Sequence, residues 1–178
     1  TVKKINSSGN LVWTFSGHGD DIFGVAVDSN GYVYSGGRDN TLRKINPDGN
    51  EVWAFSEGST IVSVAVDLEG NSYFGSTNGK VKKIDSSGNQ VWIFSGHTNF
   101  VWGITVDSLG NVYSGSSDKT VKKIDSSGNQ VWIFSGHTNF VWGITVDSLG
   151  NVYSGSSDKT VKKIDSSGNQ VWIFSGHT

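Results

Sequence analysis

The sequence predicts an all-β protein, a β-propeller whose four-stranded antiparallel blades of about 40 residues are arranged radially. Two observations favour this fold. Each period contains four short runs of β-branched and aromatic residues and no helical pattern. The phrase VKKI, or its variant LRKI, returns at steps of 40, 39, 40 and 40 residues, beginning at Val2, Leu42, Val81, Val121 and Val161.

The third period shows why each run is predicted to be a strand. The runs cover residues 100–107, 111–116, 120–125 and 130–135. The segments between them are short and rich in Gly, Asn, Asp and Ser, as antiparallel hairpins require. A lone blade cannot bury both of its faces, so the blades must stack and supply one another's core. A sandwich of short strands is the alternative, but sandwiches show no such regular period.

The period divides the chain into one incomplete and four complete units. Residues 1–18 are predicted to be an incomplete blade that holds only the last two strands. Complete blades are predicted at residues 19–58, 59–97, 98–137 and 138–178.

Composition excludes several classes of function. The net charge of −2 gives no electrostatic footprint for nucleic acid or for an anionic membrane surface. No apolar run approaches the roughly 18 residues that span a bilayer. The chain has no cysteine, which excludes thiolate metal sites. It also has no methionine, so we expect a segment of a longer protein.

The last repeats are copies of each other. Residues 81–119 and 121–159 are identical, whereas the first two units have diverged. This mixture indicates recently amplified or engineered repeats. Identical blades have interchangeable interfaces, so their number can change without new contacts.

The stretch GHTNFVWGITVDSLGNVYSGSSDKTVKKID resembles a WD-repeat: a Gly-His pair, a strand, a Ser/Gly-rich strand, a turn aspartate and a strand that ends in Asp. The usual Trp-Asp pair is Ile-Asp or Ile-Asn here, so the buried Asp–His–Ser–Trp network of that family cannot form in full. The resemblance implies structural roles for the histidines His18, His97 and His137 and for the turn aspartates Asp39, Asp118 and Asp158.

The stretch NVYSGSSDKTVKKIDSSGNQVWIFSG is similar to the tryptophan-docking repeat of quinoprotein-like propellers, and this is the resemblance we favour. It implies that one tryptophan per unit packs on the neighbouring blade. Those residues are Trp13, Trp53, Trp92, Trp132 and Trp172. Quinoproteins that carry a cofactor also use vicinal cysteines and unique calcium ligands, which this sequence lacks, so we expect no cofactor and no enzymatic activity.

No metal or catalytic site is predicted. The histidines lie 40 residues or more apart, one to a blade, too widely spread to share one ion. DSSGN and DSLGN lack the alternating oxygen ligands of a calcium loop and are predicted to be turns. No Ser-His-Asp set is unique to one place in the repeats.

The start of each innermost strand varies between units and is the predicted binding face. The candidates are Phe23, Ser63, Trp102 and Trp142, with Asp21, Asn99 and Asn139 beside them. Additional core packing is the alternative for these aromatic residues.

We therefore expect a non-enzymatic scaffold that binds a protein or a glycan on one face through several weak contacts. A lectin-type glycan-binding propeller and a fragment of a catalytic propeller are the alternatives. Four blades are few for a closed ring, so two copies are predicted to form a homodimeric ring of eight blades. A four-bladed monomer is the alternative. Nucleic acid and membrane are not expected partners.

Overall fold

A computed structural model describes residues 1–177 of the chain. They form 18 strands in one two-stranded and four four-stranded sheets, all antiparallel. The described residues include no helix that could cross a membrane. Four-stranded sheets that repeat every 40 residues or so confirm the predicted fold class.

The strands fall into five groups, which are named here in chain order. The half blade contains β1 (Val2–Ile5) and β2 (Leu11–Phe15). Blade 1 contains β3 (Ile22–Val27), β4 (Val33–Gly37), β5 (Thr41–Ile45) and β6 (Glu51–Ser56). Blade 2 contains β7 (Ile61–Val66), β8 (Ser72–Ser76), β9 (Val81–Ile84) and β10 (Gln90–Phe94). Blade 3 contains β11 (Val101–Val106), β12 (Val112–Ser116), β13 (Val121–Ile124) and β14 (Gln130–Phe134). Blade 4 contains β15 (Val141–Val146), β16 (Val152–Ser156), β17 (Val161–Ile164) and β18 (Gln170–Phe174).

Within a blade, each strand pairs with the next one along the chain. The first strands of neighbouring blades, β3, β7, β11 and β15, lie beside one another. Each first strand is therefore the innermost strand of its blade, and the turn after it lies at the opposite end of the blade from the loop before it.

The core lies between blades rather than within one. Between blades 3 and 4, for example, Tyr113 and Val121 of one blade pack with Val141, Val152 and Ile164 of the next, and all five are fully buried. A similar buried cluster joins blades 2 and 3. Burial of this kind is the main stabilising term of a stacked array, because one blade has no apolar neighbour of its own.

One tryptophan links the half blade, and one links each of blades 1 to 3, to the following blade. The indole Nε1 of Trp132 in blade 3 donates a 3.1 Å hydrogen bond to the carbonyl of Ser166 in blade 4. The Trp132 ring lies against Gly168, where an added Cβ would sit 2.9 Å from the tryptophan Cγ. Gly168 has a φ of 92°, so a side chain there is excluded both by the backbone and by the ring. Equivalent hydrogen bonds are made by Trp13, Trp53 and Trp92.

The four blades form an open arc with two end faces. At one end, no atom lies within 4 Å of a Cβ built on Gly143 or Gly155 of blade 4. At the other end, Val25 and Val27 of β3 are 57% and 62% exposed, because the half blade covers only the outer strands of blade 1. The predicted eight-bladed homodimer stays a prediction.

Candidate functional site

The predicted binding face begins at a β-bulge in each innermost strand. In β11 the pairing register shifts between Val101 and Gly103, so Trp102 is the extra residue that has no partner on β12. Trp142 has the same place in β15. A bulge re-aims the side chain of the extra residue, which places these indoles at the end of the blade that carries the loop before the strand.

The bulge also distinguishes the candidate Ser63 from Trp102 and Trp142. In blade 2 the register shifts between Ile61 and Ser63, so Val62 is the residue equivalent to Trp102. Ser63 is equivalent to Gly103 instead, and its hydroxyl donates to the carbonyl of Val101 in blade 3 at 3.3 Å. The bulge residue of blade 2 is therefore Val62, whereas the candidate Ser63 lies in the contact with blade 3.

Trp102 and Trp142 are brought together across the interface of blades 3 and 4. Their ring centroids lie 4.7 Å apart, with the planes tilted by 41°. The Trp102 indole donates a 2.6 Å hydrogen bond to the hydroxyl of Ser117, and Trp142 donates to Ser157 in the same way. Trp142 is 47% exposed and belongs to the open end face, so the far side of this aromatic pair is accessible.

The remaining candidates make local contacts. Asp21 forms an ion pair with Arg38 at 3.2 Å, and the Arg38 guanidinium lies 5.5 Å from the centre of the Phe23 ring. The side-chain oxygens of Asn99 and Asn139 each accept a hydrogen bond from the following backbone amide. These two asparagines therefore order the loops that lead to the tryptophans.

A buried hydrogen-bonded network fixes the same loops. In blade 3, His97 Nδ1 lies 2.8 Å from Asp118 Oδ2, and His97 Nε2 lies 2.8 Å from Ser114 Oγ. A carboxylate only accepts, so Nδ1 carries the proton, and Nε2 of the neutral ring accepts from the serine. Thr120 also donates to Asp118, at 2.6 Å. His97, which ends one sequence unit, is thus bonded to the sheet of the next unit.

The other two copies of the network have the same geometry. They are His18–Asp39–Ser35 in blade 1 and His137–Asp158–Ser154 in blade 4. The network that the WD-repeat resemblance implies therefore forms without its tryptophan.

Burial and hydrogen bonding shift the pKa values within these networks. Burial lowers the pKa of His97 and of His137 more than the neighbouring aspartates raise it. Burial alone would raise the pKa of Asp118, but hydrogen bonds from His97 and Thr120 outweigh it and lower the pKa. The same balance lowers the pKa of Asp39 to about 2. The His97–Asp118 and His137–Asp158 pairs are thus each a neutral imidazole and a carboxylate near neutral pH.

Blade 2 replaces the network as a set. Phe74 stands where the other blades have the network serine, and Asn78 stands where they have the aspartate. Glu57 occupies the shortened loop in place of the histidine, accepts from Asn78 at 3.1 Å and pairs with Lys82 at 2.5 Å. Because the serine, the aspartate and the histidine are all replaced together in blade 2, the network acts as one structural unit.

The three networks share the connectivity of a Ser-His-Asp triad, but their position differs from that of an accessible nucleophile. Ser35, Ser114 and Ser154 have no exposed surface, so a substrate cannot reach their hydroxyls. Residues 1–177 also contain no cluster of three or more His, Cys, Asp or Glu side chains with metal-binding geometry. The networks order loops.

A second candidate face, which sequence reasoning missed, lies at the opposite end of the blades. The turn after each innermost strand carries an exposed leucine in blades 2, 3 and 4. Leu68, Leu109 and Leu149 are 73%, 78% and 79% exposed, and are named here the leucine row. The available signal was an apolar residue in an otherwise polar turn, DSLG in blades 3 and 4 and DLEG in blade 2, where the leucine stands one position earlier.

Grooves run beneath the leucine row. One, of about 410 Å³, lies between blades 3 and 4 and is lined by Val106, Tyr113, Leu109, Val146 and Leu149, among others. A second, of about 270 Å³, continues across blades 1 to 3 and shares Val106 with the first. The two grooves adjoin at Val106, Asp107 and Ser108 of blade 3, and turn aspartates line both of them.

The leucines stand on ordered turns. Asp107 Oδ1 accepts hydrogen bonds from the backbone amides of Leu109 and Asn111, both at 2.9 Å. Burial would raise the pKa of Asp107, but its hydrogen bonds with Asn111 outweigh this and lower it, so the carboxylate is ionised at neutral pH. A preordered turn presents its side chain at a small entropic cost of binding.

The architecture defines a propeller-type repeat protein. A family model described as PQQ_2, Outer membrane protein assembly factor BamB, matches residues 1–99 and 77–177. The chain therefore belongs to this family of quinoprotein-like propeller repeats, which confirms the resemblance favoured from the sequence. No curated protein matches the chain.

Proposed function

We propose that this chain is a non-enzymatic scaffold that binds a polypeptide partner along the leucine row. The observation that supports this function is the exposure of Leu68, Leu109 and Leu149 on ordered turns beside two adjoining grooves. Exposed leucines contribute little to folding. Blade 1 forms the same turn with Asn30 in the place of Leu109, so the turn itself does not require leucine.

Repetition and family membership also support this function. Exposed leucines in the corresponding turns of three consecutive blades provide several weak contacts to one extended partner, and linked weak contacts add up to useful affinity. The matching family is described by the name of an assembly factor, a kind of protein that works by contacting other proteins.

The test uses a phage library of random peptides, selected on the wild-type chain. The Leu109→Asn/Leu149→Asn double variant reproduces the DSNG turn of blade 1 and should therefore fold normally. We expect selected peptides to bind this variant at least tenfold more weakly than wild type. The control is Val131→Thr/Val171→Thr, which alters two valines that are 53% and 54% exposed on outermost strands. Selected peptides that bind the leucine variant as tightly as wild type would contradict the proposal.

Glycan binding is the second candidate function, and the aromatic pair Trp102 and Trp142 favours it. Sugar rings stack on exposed indoles, and the hydroxyls of Ser117 and Ser157 accept hydrogen bonds from this pair. A glycan array tests it with wild type, Trp142→Ala and, as a control, Trp172→Ala, which removes another exposed tryptophan. Specific hits that Trp142→Ala alone abolishes would support the lectin function, and an array without hits would exclude it.

A further inference from the structure

The open face of blade 4 has the same sequence as a face that is covered elsewhere in the molecule. Residues 101–137 and 141–177 are identical. In blade 3 this surface packs against a following blade, whereas in blade 4 it is open. Because the covered surface of blade 3 binds a blade, the identical open surface of blade 4 is expected to bind a blade as well.

A comparison of side-chain exposure in blades 3 and 4 shows how much of the contact surface of blade 4 is uncovered. Phe134 is 7% exposed in blade 3, whereas its copy Phe174 is 54% exposed in blade 4. A Cβ on Gly115 would meet Val141 of the next blade at 2.7 Å, whereas a Cβ on Gly155 would meet nothing within 4 Å. The surface of blade 4 at Gly155 therefore has room for a β-branched side chain from another blade, in the place that Val141 takes on Gly115.

The first complete blade has the matching surface. Ile22 and Val25 of β3 stand at the positions that Val141 and Ile144 have in β15, where they pack on Gly115 and Gly103. Val25 is 57% exposed. In a solution of this chain, blade 1 of another copy is therefore the apolar surface that fits blade 4.

The half blade occupies part of that matching surface. Trp13 donates a 2.9 Å hydrogen bond to the carbonyl of Pro47, and Lys4 donates to the same oxygen at 3.2 Å. The Trp13 ring lies on Gly49, where an added Cβ would sit 2.8 Å from the tryptophan Cγ. Trp132 makes the same two contacts with blade 4, so the half blade imitates the outer half of a complete blade.

We propose that the open face of blade 4 binds blade 1 of a second copy of this chain, and that the half blade competes for the same place. Trp172 then takes the position of Trp13 on the Pro47 carbonyl and on Gly49 of the second copy. Two such contacts, one at each end of each arc, join two copies head to tail. The half blade has to leave blade 1 before the pair can form, so it limits association. This inference does not depend on the leucine row.

Light scattering after size exclusion, over a series of chain concentrations, tests the proposal on the full chain. We expect the wild-type mass to rise with concentration from 19.1 kDa towards about twice that value. Trp13→Ala removes the contact of the half blade with blade 1 and should reach the paired mass at a roughly tenfold lower concentration. Leu11→Ala is the control, because Leu11 belongs to the same hairpin but is 58% exposed.

Gly155→Val tests the surface itself. A valine at this position meets nothing within the chain, so the fold should remain, but it would collide with Ile22 of a docking copy. We expect this variant to keep the single-chain mass at every concentration. Association equal to wild type in Gly155→Val would overturn the docking surface, and equal association of wild type and Trp13→Ala would overturn the competition. Masses above two chains would contradict the closed pair.

Discussion

Two glycines in identical sequence surroundings give a sharp prediction about stacking. A Cβ on Gly103 would lie 2.9 Å from the backbone oxygen of Trp142 and 3.0 Å from Ile144 Cγ2, whereas a Cβ on Gly143 would meet nothing within 4 Å. Overpacking a close interface costs about 1–3 kcal/mol. Replacing a glycine at an unstrained position by alanine stabilises by about 0.4–1 kcal/mol through the unfolded state. Gly103→Ala is therefore expected to be destabilising, and Gly143→Ala to be neutral or stabilising.

The assay is urea denaturation followed by circular dichroism, at a chain concentration low enough for a single-chain mass. Local propensities cancel because the two sites share their neighbours in sequence. We expect the free energies of unfolding of the two variants to differ by about 1–3 kcal/mol. Equal values for both variants would refute the conclusion that blades 3 and 4 are in contact while the far face of blade 4 is open.

Three further predictions follow from the same contacts. Because the pKa values of His97 and His137 are lowered in the folded chain, the unfolded chain binds protons more readily. The free energy of unfolding should therefore fall as the pH decreases from about 7 to about 5, by at most about 1.4 kcal/mol per pH unit for each histidine. Urea midpoints across this pH range test the prediction, and a flat profile would contradict it. Trp132→Phe should cost about 1 kcal/mol more than Trp172→Phe in dilute solution, because within residues 1–177 the Trp132 indole has an acceptor in the next blade and the Trp172 indole has none; urea denaturation of the two variants measures the difference. Asp39 stabilises the folded chain above its unfolded pKa of 3.8, and this contribution is lost as the pH falls towards about 2, so Asp39→Asn should flatten the acid end of the stability profile recorded by circular dichroism.

The blade architecture could be predicted from sequence because several local features agree. The period, the alternation of apolar residues and the turn residues all specify four hairpin-connected strands. In blade 3, for example, the expected runs 111–116 and 130–135 correspond to β12 (Val112–Ser116) and β14 (Gln130–Phe134). One tryptophan per period was also enough to point to the contact between blades, because a large aromatic residue at a fixed place in every unit needs a fixed partner.

The candidate sites could be predicted from the sequence only in part, for physical reasons. A bulge adds one residue without altering the apparent pattern, so the pattern does not show which residue leaves the pairing; in blade 2 it is Val62, next to the candidate Ser63. The leucine row escaped notice because a turn sequence predicts backbone shape, whereas exposure depends on which blades stand on either side. The open faces depend on how many blades are present and on where the half blade lies, neither of which a local pattern contains.

Exchange of the indole N–H protons, followed by NMR in dilute solution, tests the open arc most directly. The indole protons of Trp53, Trp92 and Trp132 donate to the next blade, whereas that of Trp172 has no acceptor among the described residues. We expect the proton of Trp172 to exchange with solvent markedly faster than the other three. If all four were equally protected in a species of 19.1 kDa, the four blades would have closed into a ring of their own, and the open arc would be wrong.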